Sequence, residues 1–326
     1  VIARNEGSRI RQCLESVFEA IGSLSSEVLL VDSGSTDDTV QIARGFAVQI
    51  LTVDRGAPLH PAASRHVGYK SSRGRLMLFM DGDSTLYKEW IPTAVEAFDE
   101  PRLAGFAGAR QEILVGKDGQ HVRSRDRYAD RPGEDISALY LGGPAAYRRT
   151  VFDEVGGFNP FMYVQEEQEL GARIRAAGYL LKRSKSMMTT HFVACEPESL
   201  SGLCRRVVRR YPLGMGQLVR YGLKHHCLSA FHFQDVRRHV LFWMILACGA
   251  VTTFIWLMTG MTSFVTVWFL ACSIAFALFC WRARGIAKPL YFVLEWLVFG
   301  PMAFYGFSMK PRSANEYPLA GQDASD

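Results

Sequence analysis

The sequence predicts an α/β fold: a mostly parallel central sheet with flanking helices, followed by C-terminal transmembrane helices. Three observations carry this expectation. Over the first hundred residues, short apolar runs that read as strands alternate with amphipathic stretches that read as helices. Two of those runs, "EVLLVD" and "RLMLFMD", end in an aspartate, which in a parallel sheet is where ligands sit. From Val240 to Trp281 there is no Asp, Glu, Lys, Arg or His, a run long enough for two spans of about 20 residues each.

Taken in order, the chain opens on Val1-Ile2-Ala3 without an initiator Met, which reads as a first strand cut short in a fragment lacking its first residues. Ser8 is the expected N-cap of a helix whose Ile10, Cys13, Leu14, Val17, Phe18 and Ile21 fall on one stripe. Val28 to Val31 form the next strand, ending in Asp32 and a Ser/Gly turn. Thr36-Asp37-Asp38 then opens a helix carrying Val40, Ile42, Ala43 and Phe46, with acids in its first turn, where the helix dipole favours them. "AVQIL" is a strand, residues 61–73 a helix, and "RLMLFMD" a strand buried on both faces. Asp32 and Asp81 therefore stand at strand carboxyl ends and are expected to meet in one cleft. "QEILVGKDGQ" reads as a hairpin with Lys117-Asp118-Gly119 as its turn, and "RSRDRYADRPGED" as a charged loop. In "VQEEQELGARIRAAGYLL", Leu170, Ile174 and Ala177 line a helix face, Gly178 ends the helix, and "YLLKRS" starts a strand.

The expected organisation is a catalytic domain over 1–200, a basic amphipathic membrane-proximal segment over 201–238, a transmembrane region over 239–309 and a polar tail over 310–326. The spans are placed at 240–258, 264–281 and 289–309, with Thr259 to Ser263 as the first turn. Glu295 and Gly300-Pro301 interrupt the third. Arg237 and Arg238 precede the first span, and Arg282, Arg284 and Lys288 follow the second, so both flanks face the cytoplasm and carry residues 1 to about 235 with them. Lys310 and Arg312 fit a full third crossing badly, so the third stretch is expected to be re-entrant or interfacial.

Composition excludes several classes. The 37 Lys and Arg against 32 Asp and Glu leave a charge of only +5, with no interleaving of aromatic and basic residues, so no nucleic-acid partner is expected. The seven cysteines are scattered without a Cys-x-x-Cys pair, which points to a reducing compartment and away from disulfides or structural zinc.

Asp81-Gly82-Asp83 places two hard carboxylates together, a donor set suited to Mn2+ or Mg2+. The same run, D-x-D-x-T, also opens phosphatases in which the first Asp attacks a phosphate. That chemistry needs a later acidic pair, and no Gly-Asp or Asp-Asp follows Asp83.

Several ordered motifs over residues 1 to about 195 resemble the family 2 glycosyltransferases, which have the Rossmann-like nucleotide-diphospho-sugar transferase (GT-A) fold. They are "VIARNEGSRIRQCLESV", "LLVDSGSTDDTVQIAR", "AASRHVGYKSSRGRLMLFMDGDSTL" and "GGPAAYRRTVFDEVGGFNP" with "QEEQELGARIRAAGYLL". The resemblance implies transfer of a sugar from a nucleoside diphosphate to an acceptor hydroxyl with inversion. It implies metal binding by Asp83, by Asp81 (which could instead hold the ribose) and by His191, and a carboxylate base at Glu167 with Glu166 beside it. It places Ala3, Glu6 and Asp32 around the nucleoside and Arg65 near the phosphates. Simpler roles compete: Asp32 can cap its own turn, His191 can be an ordinary polar residue, and Glu169 can serve the helix N-terminus. Ser33, His66 and Glu167 depart from residues common in the family, and no Q-x-x-R-W motif of processive synthases is present.

The expected protein is thus a membrane-anchored, hexosyltransferase-like enzyme using Mn2+ or Mg2+. Its catalytic domain faces the cytoplasm at the bacterial inner membrane, with a nucleotide-diphosphate sugar as donor and a lipid-linked saccharide, glycolipid or envelope polysaccharide as acceptor. The rival readings are the phosphatase and a catalytically inactive membrane scaffold.

Overall fold

A computed structural model describes residues 1–53, 59–116, 120–127, 135–194, 199–224, 234–319 and 321–322. The expected Lys117-Asp118-Gly119 turn lies outside the described residues. Two compact units divide the chain. One joins Val1–Cys195 with Tyr221–Phe231 and Lys310–Asp326; the other takes Glu196–Arg220 and His232–Met309.

The first unit begins β1 (Ile2–Ala3), α1 (Ile10–Ile21), β2 (Leu29–Asp32), α2 (Thr39–Ala43), β3 (Gln49–Thr52), α3 (Pro61–Ser71), β4 (Leu76–Phe79) and β5 (Ser84–Leu86). It continues with α4 (Trp90–Ala97), β6 (Leu103–Val115), β7 (His121–Arg127), β8 (Asp135–Ser137), β9 (Ala145–Arg148), α5 (Arg149–Val155), α6 (Glu166–Ala176) and β10 (Leu180–Ala194). Strands β1, β2 and β3 pair in parallel, as the alternation of elements requires. The second sheet runs β4-β9-β6-β10-β5 and is mixed: only β10 and β6 are parallel. The expectation of a mostly parallel sheet therefore holds for the first half alone, because β9 returns beside β4 without a crossover helix. The two sheets meet where Ile2 bridges Asp81, with Ile2 N–H donating to Met80 O and Gly82 N–H to Ile2 O, both at 2.9 Å.

Three local expectations change. α1 starts at Ile10 after Arg9, and Ser8 makes no cap; the Arg9 and Ile10 amides donate to Glu6 O instead. Residues 123–127, read as the start of a charged loop, instead belong to β7 (His121–Arg127), which runs along β6. Ala177 lies beyond α6 and is exposed, while Leu170 and Ile174 face the core.

The main core gathers Phe79, Trp90, Phe106, Tyr147, Phe152, Phe158 and Leu170 around the second sheet. Phe79, Phe152 and Phe158 meet with ring centroids 5.2 to 5.8 Å apart, a geometry that adds to the burial term. The C-terminal segment is more than a polar tail. After a 3-10 turn at Ala314–Glu316, Tyr317 is buried with Val31, Leu51, Val67 and Phe161, and β11 (Gly321–Gln322) pairs antiparallel with β3. This covers a sheet edge that would otherwise be open.

The second unit contains α7 (Leu200–Val208), most of α8 (Tyr211–Lys224), α9 (Gln234–Thr259), α10 (Ser263–Ala283) and α11 (Ala287–Ser308). The last three are long and apolar enough to cross a membrane. The turn between α9 and α10 falls where expected, with Gly260 at φ +71°. Leu203, Met215 and Phe299 form a small core, beside which Arg206 Nη1 lies 2.6 Å from the buried Glu295.

Candidate active site

β1 and β2 end side by side, with Ala3 opposite Asp32. The loops that follow are tied together. Asn5, held at φ +58°, accepts from Thr36 N–H at 2.8 Å, and its own amide donates to Ser35 Oγ at 2.8 Å. Asp37 accepts from Gly7 N–H at 2.9 Å. The carboxylate of Asp32 is turned into its own loop, accepting from Gly34 and Ser35 amides at 3.0 and 2.9 Å and from Ser35 Oγ at 2.5 Å. Among the described contacts it therefore works as a turn cap, while Ala3 is buried at the same level.

The extension of β4 delivers Asp81, Gly82 and Asp83. Gly82 lets the backbones pack closely: a Cβ there would stand 3.1 Å from Ala3 Cβ, 3.2 Å from Ile2 O and 3.3 Å from Glu6 Cγ. Glu6 is thereby drawn against the aspartates. Burial, then the charges of Asp83 and Asp37, push its carboxyl up to about 7.

His191 reaches the same place from a distant part of the sequence. The end of β10 pairs with β5, setting His191 opposite Ser84, and Phe192 N–H donates to Asp83 O at 3.0 Å. His191 Nε2 lies 3.2 Å from Asp83 Oδ2, with which it hydrogen-bonds, and 3.1 Å from Oδ1. Ligand atoms of Asp81, Asp83 and His191 all fall within 4.8 Å of one another. Asp83 Oδ1 and His191 Nδ1 are buried without a hydrogen-bond partner. Two carboxylates and an imidazole with an unsatisfied buried oxygen fit a divalent cation of the Mn2+ or Mg2+ type.

The predicted base arrives through Arg65. This side chain, on α3, is almost wholly buried and lies 2.9 Å from Asp81, 2.7 Å from Glu166 and 3.1 Å from Glu167. Arg65 was expected near the donor phosphates; its partners here are three carboxylates, because α3 carries it between the end of β4 and the start of α6. Gln165, just before the two glutamates, sits in the left-handed region at φ +67°, a cost that turns the chain sharply into α6. Burial, then the charge of Glu167, hold the Glu166 carboxyl well above the usual carboxylate range, with Arg65 opposing. Glu167 is the more accessible of the two, its side chain 20% exposed against 7% for Glu166. Glu169, by contrast, is structural: both its oxygens bind Arg173 at 2.7 Å, and Arg173 also donates to Val155 O and Gly157 O. His66 is structural too. It packs edge-on to Tyr69 and Tyr317, and burial holds it down to about 4 and neutral.

Asp81, Asp83, His191, Glu166 and Glu167 thus converge at the junction of the two sheets, beside the ends of β1 and β2. Residues 1–156 match the sequence model of glycosyl transferase family 2. This stretch of the chain belongs to that family. Glycosyltransferase AglE of Haloferax volcanii is 26% identical over 223 residues, covering 66% of this chain and 70% of that protein. O-antigen chain rhamnosyltransferase RfbN of Salmonella typhimurium is 25% identical over 180 residues, and the match spans 51% of this chain and 56% of RfbN. Mannosyltransferase PcManGT of Pyrobaculum calidifontis, solved with GDP-Man and Mn2+, superposes with a TM-score of 0.52 at 15% identity, covering 92% of this chain and 85% of that one. The glycosyltransferase domain shares its fold.

Sequence reasoning missed Asn5, Gln165 and the pairing of Arg65 with carboxylates. It also missed Arg110 and Glu112 on β6, although the alternating arginines of 123–127 were a legible strand signal.

Proposed function

We propose that this domain transfers a sugar, with inversion, from a nucleotide-diphosphate donor to a hydroxyl of a membrane-associated acceptor. One observation carries the reading: Arg65 gathers Asp81, Glu166 and Glu167 on a single guanidinium, beside Asp83 and His191. A candidate cation site and a candidate base are thereby held in one place. Asp83, His191 and Asp81 would hold a divalent ion, which would supply charge neutralisation to the leaving diphosphate. Ala3, Glu6 and the Asp32 loop line the side on which the nucleoside lies. Glu167 takes the proton of the acceptor hydroxyl as that oxygen bonds to the anomeric carbon and the diphosphate leaves with the bonding pair. Glu166, its carboxyl held above the usual range by burial, sits beside Glu167, and Arg65 orients both.

The three apolar helices support a membrane-associated acceptor, a lipid-linked saccharide, a glycolipid or a growing envelope polysaccharide, with the catalytic unit on the cytoplasmic face. Residues 1–194 and the 310–319 segment pack in one unit, which supports an even number of crossings for the chain between them. α9 and α10 cross; α11 enters without a full crossing. The buried Glu295, paired with Arg206, and Pro301 inside α11 support this assignment.

The test is a thermal-shift screen of nucleoside diphosphates and their sugars with and without Mn2+, in the wild type and Asp83→Ala. A ligand at a hundred times its Kd adds about 2.7 kcal/mol of stability. A stabilisation that needs Mn2+ and vanishes in Asp83→Ala is expected. Release of phosphate from a simple phosphomonoester, with no response to any sugar nucleotide, would replace the proposal with the phosphatase.

A further inference from the structure

The second sheet carries an ordered set of arginines that the reaction above does not use. β7 presents Arg123, Arg125 and Arg127 at every second residue, hence on one face. Its partner β6 sets Arg110 opposite Arg127 and Glu112 opposite Arg125. Glu112 is buried, and both its oxygens are shared. Oε1 lies 2.7 Å from Arg110 Nη2 and 2.7 Å from Arg127 Nε, while Oε2 takes Arg125 Nη2 at 2.6 Å and Nε at 3.2 Å. Burial pushes this carboxyl up, but the guanidiniums of Arg127, Arg125 and Arg110 outweigh it and hold it down to about 2.

One buried carboxylate therefore orders three guanidiniums, leaving a surplus of positive charge. Each guanidinium has five N–H donors, and Glu112 engages only some of them. Arg110 Nε is buried without a hydrogen-bond partner. The Arg125 and Arg127 side chains are 51% and 40% exposed, open to a ligand.

The ribbon starts at the reaction centre. His191 is the β10 partner of Glu112 in the parallel register. The point where a Gly143 Cβ would stand is 2.5 Å from Arg110 Nη1 and 3.8 Å from Asp81 Oδ2. Gly143, at φ +64°, leaves that space to the guanidinium. From there the arginines run outward along β7, in the sheet that does not contain the nucleoside-side strands β1 to β3.

We propose that Arg110, Arg125 and Arg127, ordered by Glu112, bind a phosphate or diphosphate ester carried by the acceptor. Guanidiniums suit this role because they meet phosphate oxygens in bidentate pairs. The proposal rests on the glycosyltransferase reading and names the chemical class of its acceptor.

The test uses the full chain in nanodiscs of zwitterionic lipid, with farnesyl phosphate, farnesol and inorganic phosphate as probes. Binding of UDP, GDP and dTDP with Mn2+ is measured in parallel. Farnesyl phosphate is expected to bind at least roughly tenfold tighter than farnesol, the worth of one charge-assisted hydrogen bond. The Arg125→Gln/Arg127→Gln variant loses that difference while keeping Mn2+-dependent nucleotide binding, which reports an intact fold. Arg125→Lys/Arg127→Lys, which keeps the charge, retains part of it. Equal binding of phosphate and alcohol, or wild-type affinity in the Gln variant, would overturn the proposal. So would competition by inorganic phosphate at matched concentration, or by discs containing phosphatidylglycerol, since the site would then serve a free ion or a headgroup. Failure of the wild type to bind any nucleoside diphosphate with Mn2+ would instead remove the glycosyltransferase reading itself.

Discussion

Replacing Arg65 by Met is the most severe single perturbation that the site geometry implies. The side chain is 5% exposed and faces three carboxylates. Met matches much of its volume but removes the charge that pairs with all three. Removing one partner of a buried ion pair costs about 3–5 kcal/mol. Two features pull the cost to the lower end of that range. Asp81 and Glu167 are about one-fifth exposed, so water takes up part of their charge, and Glu166 can neutralise itself, because its carboxyl is already held high. A loss of about 3 kcal/mol corresponds to a fall in Tm of about 6–12 °C for a domain of this size. The assay is thermal unfolding of the purified chain followed by intrinsic fluorescence. Adding Glu166→Gln to Arg65→Met should restore about 1 kcal/mol or more, since neighbours in one ionic network couple by about 0.5–3 kcal/mol. A Tm within about 2 °C of wild type, or strictly additive single and double variants, would show that the guanidinium does not hold the three carboxylates together.

Glu166 also makes stability depend on pH in a defined direction. Its folded carboxyl binds a proton more tightly than the unfolded chain does, so between the two values the native state holds the extra proton and stability falls as pH rises. From about pH 5 to about pH 8 the wild type should therefore lose stability relative to Glu166→Gln; a constant difference between the two across that range would contradict the burial argument. For turnover, Glu167→Gln is expected to lower kcat by about 10²–10⁴-fold in a folded protein that still binds nucleotide, and full activity would remove it as the base. Topology is read by single cysteines at Ser25, Met261 and Ser313 in a cysteine-free background. A membrane-impermeant maleimide should label positions 25 and 313 from the same side and position 261 from the other, and labelling of 25 and 313 from opposite sides would restore a third full crossing.

Local patterning made much of the molecule readable before any coordinates. Apolar runs of four to six residues, helical stripes and turn residues placed α1, β2, β3, α3 and β4, because those signals depend only on neighbours in sequence. The charge-free run from Val240 to Trp281 placed α9, α10 and the turn between them for the same reason. Asp81 and Asp83 stood out by type and spacing, whereas Glu166 and Glu167 were singled out only by the family resemblance.

What tertiary structure alone decided is how these groups meet. Arg65 is 101 residues from Glu166 and His191 is 108 from Asp83, and no periodicity links them. Their contacts follow from α3 passing between β4 and α6, and from the end of β10 pairing with β5. The orientation of β9, the return of Tyr317 to the core and the closing of Glu112 on three arginines likewise depend on strand pairing. A strand's pattern records which face is buried but leaves its partner open; the partner is chosen by long-range packing, which only the folded chain expresses.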